Sequence, residues 1–229
     1  EGISVNYRSG DQPNNALSLN ILKPGEVAAT GGTSGVIYAV TDQSEFKEIQ
    51  KVNHFAHVNY TEKKPVVGRL LNINGAGIQY RWLKNNSAAQ SYDEMNDQAA
   101  QVNIGAEGAV VIPFGNGAER MFNNRTIGTH FCNLNLNTHT NAHLYRAALE
   151  GIAFSFVFGM DILKNDNTAI DVIRAGNDNL FRSEIFANTV ATLIGQEIEI
   201  YNTTGAVGAA RAAGLTDGDF TRFGESITQ

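Results

Sequence analysis

Two patterns in the sequence predict a mixed α/β fold. Short apolar or alternating runs crowd the first third of the chain, and strand-like and helix-like segments then alternate to its end. A third observation is size. With 229 residues, 42% of them hydrophobic and 17% charged, the chain suits one well-cored globular domain.

The stretch EGISVNY alternates apolar and polar residues and predicts a strand over Ile3–Tyr7. Proline favours the first turn of a helix, so Pro13 predicts a short helix over Asn14–Leu22, with Asp11 placed to cap it. Glu26–Thr30 and Val36–Val40 read as strands joined by a turn at Gly31–Gly35. The patch around His54–Val58 and the run Val66–Ile73 read as further strands, with Lys63, Lys64 and Pro65 turning between them.

From Gly77 the pattern becomes helical. IQYRWLKNN comes first, then SYDEMNDQAAQV, where Ser91 and Glu94 have capping-box spacing. GAVVIPFGNGAERMF follows, and the Asn- and Thr-rich stretch after it is expected to be a plain connection. A long helix is predicted over about Asn141–Lys164, where Leu144, Ala148, Ile152, Ser155 and Gly159 share a small-to-apolar face suited to close packing. A β-α-β-α unit closes the chain: AIDVIRAG, then Leu180–Ile194, then EIEIY, then Thr204–Ala213.

The net charge of −6 argues against nonspecific binding to nucleic acid or to an anionic membrane. An anionic ligand would need a local site of backbone N–H groups and a few cations. The single cysteine, Cys132, excludes an internal disulfide, and no apolar run approaches membrane-spanning length, so a cytoplasmic protein is expected. The strand-like start and the ending FGESITQ suggest a chain cut from something longer.

Taken singly, the candidate sites are modest. His139 and His143 have the spacing of two metal-binding imidazoles, but a third ligand and the glutamate of a zinc protease motif are missing. A histidine pair at a helix start is the better reading, and no metal site is expected. Glu119 and Arg120 suit a buried ion pair or a substrate contact, with the structural role favoured. Asn74–Gly75 and Asn116–Gly117 mark tight turns. In RAGNDNLF a strand runs through a Gly-containing turn into a helix, leaving room for a flat ligand or a phosphate, but the three-glycine dinucleotide pattern is absent.

In order, SGDQPNNALSLNILKPGEVAATGGTSGVIYAVTD, INGAGIQYRWLKN, IPFGNGAERMF, HTNAHLYRAALEGIAFSFVFGMDIL, VIRAGNDNLFRSEIFANTVATLIGQEIEI and GAVGAARAAG resemble the C-terminal half of the FGGY carbohydrate kinases. Six motifs in order, over nearly the whole chain, make the resemblance specific. It implies a ribonuclease H-like, actin-like ATPase fold, with residues 1–229 as a single nucleotide-binding domain whose N-terminal partner domain is missing. Within the family the likeness is greatest to xylulose kinases. The implied reaction is therefore transfer of the ATP γ-phosphate to D-xylulose, with Mg²⁺, and glycerol, ribulose or another polyol or ketose is the alternative substrate.

The resemblance also assigns roles. Asp11, in the GDQ motif, becomes the general base that takes the sugar hydroxyl's proton, a role compatible with a helix start. Gly32, Thr33 and Ser34 become the phosphate loop, with Gly32 as a position where a larger side chain would crowd the approach. Gly77 and Arg81 fall beside the nucleotide. Ala175, Gly176 and Asn179 match the adenine pocket, although the family's run of two or three glycines is reduced here to one. The family's Asp-x-Gly-Thr loop, which binds phosphate and Mg²⁺, has no counterpart, so the fragment alone is expected to be inactive. An exposed face toward the missing domain would allow self-association, including a homodimer. A non-catalytic actin-like domain is the rival class, and the intact Asp11 counts against it.

Overall fold

Side chains on a strand point alternately to opposite faces, so a strand covered on both faces needs apolar residues throughout. The run GVIYAVT meets that condition. In the computed structural model, which describes residue 2 and residues 5–215, it forms a fully buried strand. The strands are β1 (Glu26–Gly31), β2 (Gly35–Thr41), β3 (Asn53–Ala56), β4 (Val67–Ile73), β5 (Val110–Glu119), β6 (Arg125–Cys132), β7 (Val172–Gly176) and β8 (Ile198–Tyr201). Six of them form one sheet in the order β3-β4-β2-β1-β7-β8. Its pairs are antiparallel from β3 to β1 and parallel from β1 to β8, while β5 and β6 make a separate antiparallel hairpin.

The helices are α1 (Asp11–Ser18), α2 (Ala76–Asn85), α3 (Tyr92–Ala100), α4 (Asn141–Asn165), α5 (Glu184–Ile194) and α6 (Gly205–Gly214). The alternation along each strand divides the core. Val27, Ala29, Ile37, Leu71 and Ile173 pack in the larger core with Ile152, Phe156 and Met160 of α4. Ala28, Val36, Tyr38 and Val40, on the other face, pack with Ala16, Leu19 and Ile21 at and just after α1. Each such large aliphatic or aromatic side chain contributes roughly 1.5–3 kcal/mol by leaving water. The small face predicted for α4 is what seats it. A Cβ on Gly159 would stand 2.8 Å from Ile37 Cδ1, and one on Gly151 would overlap the Val111 carbonyl.

Several predicted elements shift. Ile3 and Ser4 lie outside the described residues, and Val5–Tyr7 join no strand. The first helix starts three residues earlier than predicted. Gly10 is its N-cap, Asp11 its first residue, and Pro13 still falls in the first turn, where a missing N–H is harmless. It ends before Asn20, which takes a φ of +54°. The stretch after GNGAERMF is no plain connection, since Arg125–Cys132 forms β6. The helix predicted over Leu180–Ile194 is broken. Asn179–Arg182 is a 3₁₀ turn, Ser183 is extended, and α5 begins at Glu184.

Candidate functional site

β1 ends at Gly31 and β2 begins at Gly35, leaving Gly32, Thr33 and Ser34 as a tip outside the ladder. Among the described residues the N–H groups of these three donate to no backbone carbonyl. Two carbonyls of the tip are engaged. Gly77 N–H donates to Gly32 O and Ile78 N–H to Thr33 O, each at 3.0 Å. The tip thus satisfies two of the N–H groups that the first turn of α2 would otherwise leave unpaired.

This approach requires bare backbone. A Cβ on Gly77 would overlap the Gly32 carbonyl, and one on Gly31 would stand 2.8 Å from Leu180 Cβ. At Gly32 itself an added Cβ meets only Ser34 O, at 3.5 Å, an ordinary contact. Within the protein itself, the close backbone approaches therefore fall at Gly77 and Gly31.

Around the tip lies a cleft of about 290 Å³ that brings together Gly32, Thr33, Gly77, Arg81 and Asn179. It also contains residues that the sequence reading missed: Tyr80, Tyr92, Asp93, Asn96 and Arg182. Tyr80 donates its hydroxyl to Asn96 Oδ1 at 2.9 Å and stacks on Tyr92 with ring centroids 5.9 Å apart. Burial, helped by the Tyr145 and Tyr92 phenols, pushes the Tyr80 pKa up and keeps it a neutral donor. Lys84 sits 5.6 Å over the Tyr92 ring, and Arg81 and Arg182 are exposed cations at the cleft. Helical spacing carried part of this signal, since Tyr80 lies three residues after Gly77 on the same face.

Asp11 lines a different pocket, of about 470 Å³, with Tyr38, Phe55, His57 and Leu70. Its carboxylate is exposed and accepts the Gln12 N–H at 2.9 Å. His57 is held neutral by its surroundings. Burial lowers its pKa despite the opposing Ile21 carbonyl and Glu26, Nε2 lies 3.1 Å from Ile21 O, and Nδ1 accepts the Asn59 N–H at 3.2 Å.

Ser34 is half-buried at the tip and does not line the cleft. Ala175 is completely buried in the larger core, and Gly176 is buried at the end of β7, so neither presents a surface to the cleft. Glu119 and Arg120 are not an ion pair. Glu119 is fully buried, with its pKa raised by burial against the backbone N–H groups of Asn74, Met121 and Arg120. It accepts the Asn74 N–H at 2.9 Å, bracing the residue that precedes the α2 cap. Arg120 instead donates to Gln50 O and Asn53 Oδ1. The rings of His139 and His143 are 5.0 Å apart. Their Nδ1 atoms accept the N–H groups of Asn135 and Thr140, which ties the pair to the start of α4.

A mixed sheet with helices on both faces and a bare backbone tip at a strand end defines the class, the actin-like ATPase fold. Solved structures share it. The xylulose kinase from Rhodospirillum rubrum superposes with a TM-score of 0.78 at 24% identity, over 94% of this chain and 43% of that one. The Plasmodium falciparum glycerol kinase with ADP gives 0.79 at 23% identity, over 93% and 44%. The sequence profile of the C-terminal domain of the FGGY family of carbohydrate kinases matches residues 27–216, and the chain belongs to that family. Among curated relatives, the xylulose kinase of Staphylococcus xylosus is 25% identical over 232 residues, 97% of this chain and 46% of its own length. The gluconokinase of Bacillus subtilis is 29% identical over 150 residues, 61% of this chain and 28% of its own length. The chain spans less than half the length of these relatives. Among the described residues no helix is long and apolar enough to cross a membrane.

Proposed function

We propose that residues 1–229 are the nucleotide-binding half of a two-domain, ATP-dependent sugar kinase, with D-xylulose as the phosphoryl acceptor. The observation that carries this reading is the backbone cradle at Gly32–Ser34, whose N–H groups donate to no backbone carbonyl among the described residues and whose Gly32 and Thr33 carbonyls are fixed to α2. Such a concavity suits phosphate oxygens, and the Thr33 hydroxyl adds a donor. Arg81 and Arg182 supply positive charge at the rim, and Asn179 an amide. Ala175 and Gly176 back the site from within the sheet rather than touching the base. Tyr92 offers the flat surface that Ala175 does not.

ATP, when bound, would supply the transferred phosphoryl group. Among the described residues no cluster of three or more His, Cys, Asp or Glu could hold a metal; Mg²⁺, when bound, would neutralise phosphate charge on the nucleotide held at the Gly32–Ser34 tip. Asp11 takes the proton from the sugar hydroxyl, which makes its oxygen a better nucleophile. The exposed Asp11 carboxylate, hydrogen-bonded only to the neighbouring Gln12 among the described residues, can accept that proton.

A second substrate reading is gluconate, favoured by the gluconokinase relatives at 29–30% identity. A coupled assay for ADP release with D-xylulose, ribulose, glycerol and gluconate tests both. The 229-residue chain is expected to turn over none of them, and a protein extended upstream by a full domain is expected to prefer D-xylulose. Sugar-dependent turnover by the shorter chain would show that the active site is misplaced.

A further inference from the structure

Gly77, Tyr80 and Arg81 of α2 face the cleft, whereas Ile78, Gln79 and Trp82 face a second groove, of about 410 Å³. The β5–β6 hairpin closes its other side through Pro113, Gly115, Asn116, Gly128, Thr129 and Phe131. The volume lies within the roughly 300–1,000 Å³ usual for small-molecule sites.

The groove is built from three kinds of group. Trp82 and Phe131 give it aromatic faces, with ring centroids 6.0 Å apart, and Trp82 is 51% exposed. The hairpin ladder breaks between Phe114 and Ala118, leaving Gly115, Asn116 and Gly117 without cross-strand partners. A bulge of this kind re-aims side chains and recurs beside binding sites. A Cβ on Gly115 would overlap Thr129 Oγ1, so the wall there is necessarily bare. At the floor, Gln79 is 5% exposed and accepts the Thr129 hydroxyl at 2.6 Å, while its Nε2 has no partner among the described residues. A buried amide end left unpaired favours any ligand that supplies the missing partner. No charged side chain lines the groove.

These groups match one ligand chemistry. A sugar ring presents an apolar face of C–H bonds and a rim of hydroxyls, each both donor and acceptor. An exposed indole takes the face, and amides take the rim. A phosphorylated sugar would need a cation, and the groove offers none. We infer that this groove binds a neutral sugar unit, apart from both the cleft and the Asp11 pocket, with Trp82 as platform and Asn116 and Gln79 as hydrogen-bonding groups.

Trp82 is the chain's single tryptophan, so its emission reports on the groove. The 229-residue chain is titrated with glucose, xylose, maltose and cellobiose, and separately with glucose 6-phosphate. A saturable emission change is expected with at least one neutral sugar, and at least tenfold weaker binding of the phosphorylated one. Asn116→Ala, in an exposed bulge, is expected to weaken the neutral sugar about tenfold, the order of one lost hydrogen bond. Calorimetry on Trp82→Ala should show binding abolished, and Asp11→Asn should leave the titration unchanged. No saturable change with any neutral sugar, equal binding of glucose 6-phosphate, full affinity in Asn116→Ala and Trp82→Ala, or loss of the response in Asp11→Asn would each overturn the assignment.

Discussion

The Asn15 side chain donates a hydrogen bond to the Thr30 hydroxyl at 2.7 Å, joining the helix that opens with Asp11 to the strand that ends in the Gly32–Ser34 tip. The two pockets therefore share a mechanical link, one turn of α1 from the carboxylate and two residues before the loop. Asn15→Leu keeps the approximate volume and removes the donor. A stability loss of about 1 kcal/mol is expected, lowering the melting temperature by roughly 2–4 °C for a domain of this size. A melting curve identical to that of the parent protein would show that the link contributes nothing.

Gly77→Ala places a methyl group where the Gly32 carbonyl already is, so the tip and α2 must separate. In the full-length kinase the ATP dissociation constant should rise at least about tenfold, or ~1.4 kcal/mol, with sugar affinity little changed. Gly32→Ala meets only an ordinary contact and should be far milder. Calorimetry on both variants decides, and a reversed ranking would move the close approach elsewhere.

Asp11→Asn in the full-length protein should lower kcat by roughly 10²–10⁴ while nucleotide affinity holds, because the amide cannot accept the hydroxyl proton. The carboxylate lines a pocket separate from the cleft at the Gly32–Ser34 tip, where the nucleotide is proposed to bind, which is why the two quantities should part. Near-parental turnover would remove Asp11 from the chemistry.

Stability should fall on mild acidification through His57. Its folded pKa is lowered by burial, so the unfolded chain binds the extra proton first. The stabilisation is complete above the ordinary histidine value of about 6.5 and is lost as pH falls toward the folded pKa. Protonation would also turn Nδ1 into a donor facing the Asn59 N–H. Thermal unfolding from pH 7.5 to pH 5 should therefore slope more steeply in the parent than in His57→Gln. Equal slopes would assign the acid sensitivity to other groups.

Periodicity and turn chemistry made much of the fold legible. The buried run of β2 and the small face of α4 follow from spacing alone, because packing on a sheet imposes those residues locally. What escaped depends on distant partners. Arg69 and Asp166, 97 residues apart, form a fully buried ion pair at 3.0 Å, and neither local sequence hints at the other. β6 was hidden because RTIGTHFC carries few large apolar residues and gains its order from pairing with β5. In the site, glycine positions and the Gly77–Arg81 spacing were visible. Tyr92 and Arg182 were not, since they reach the cleft only through the packing of α3 and the 3₁₀ turn around it.

A cradle made from peptide groups is indifferent to most side-chain identities around it. The tip at Gly32–Ser34 is held by carbonyl-to-amide bonds, and Gly31 and Gly77, which meet it directly, are constrained by steric exclusion. Sequence drift can therefore run freely along much of the rim, while those two positions should stay glycine together. A xylulose kinase sharing a quarter of this chain's residues can thus keep the same backbone geometry, and the pair at Gly31 and Gly77 is where drift among relatives should stop.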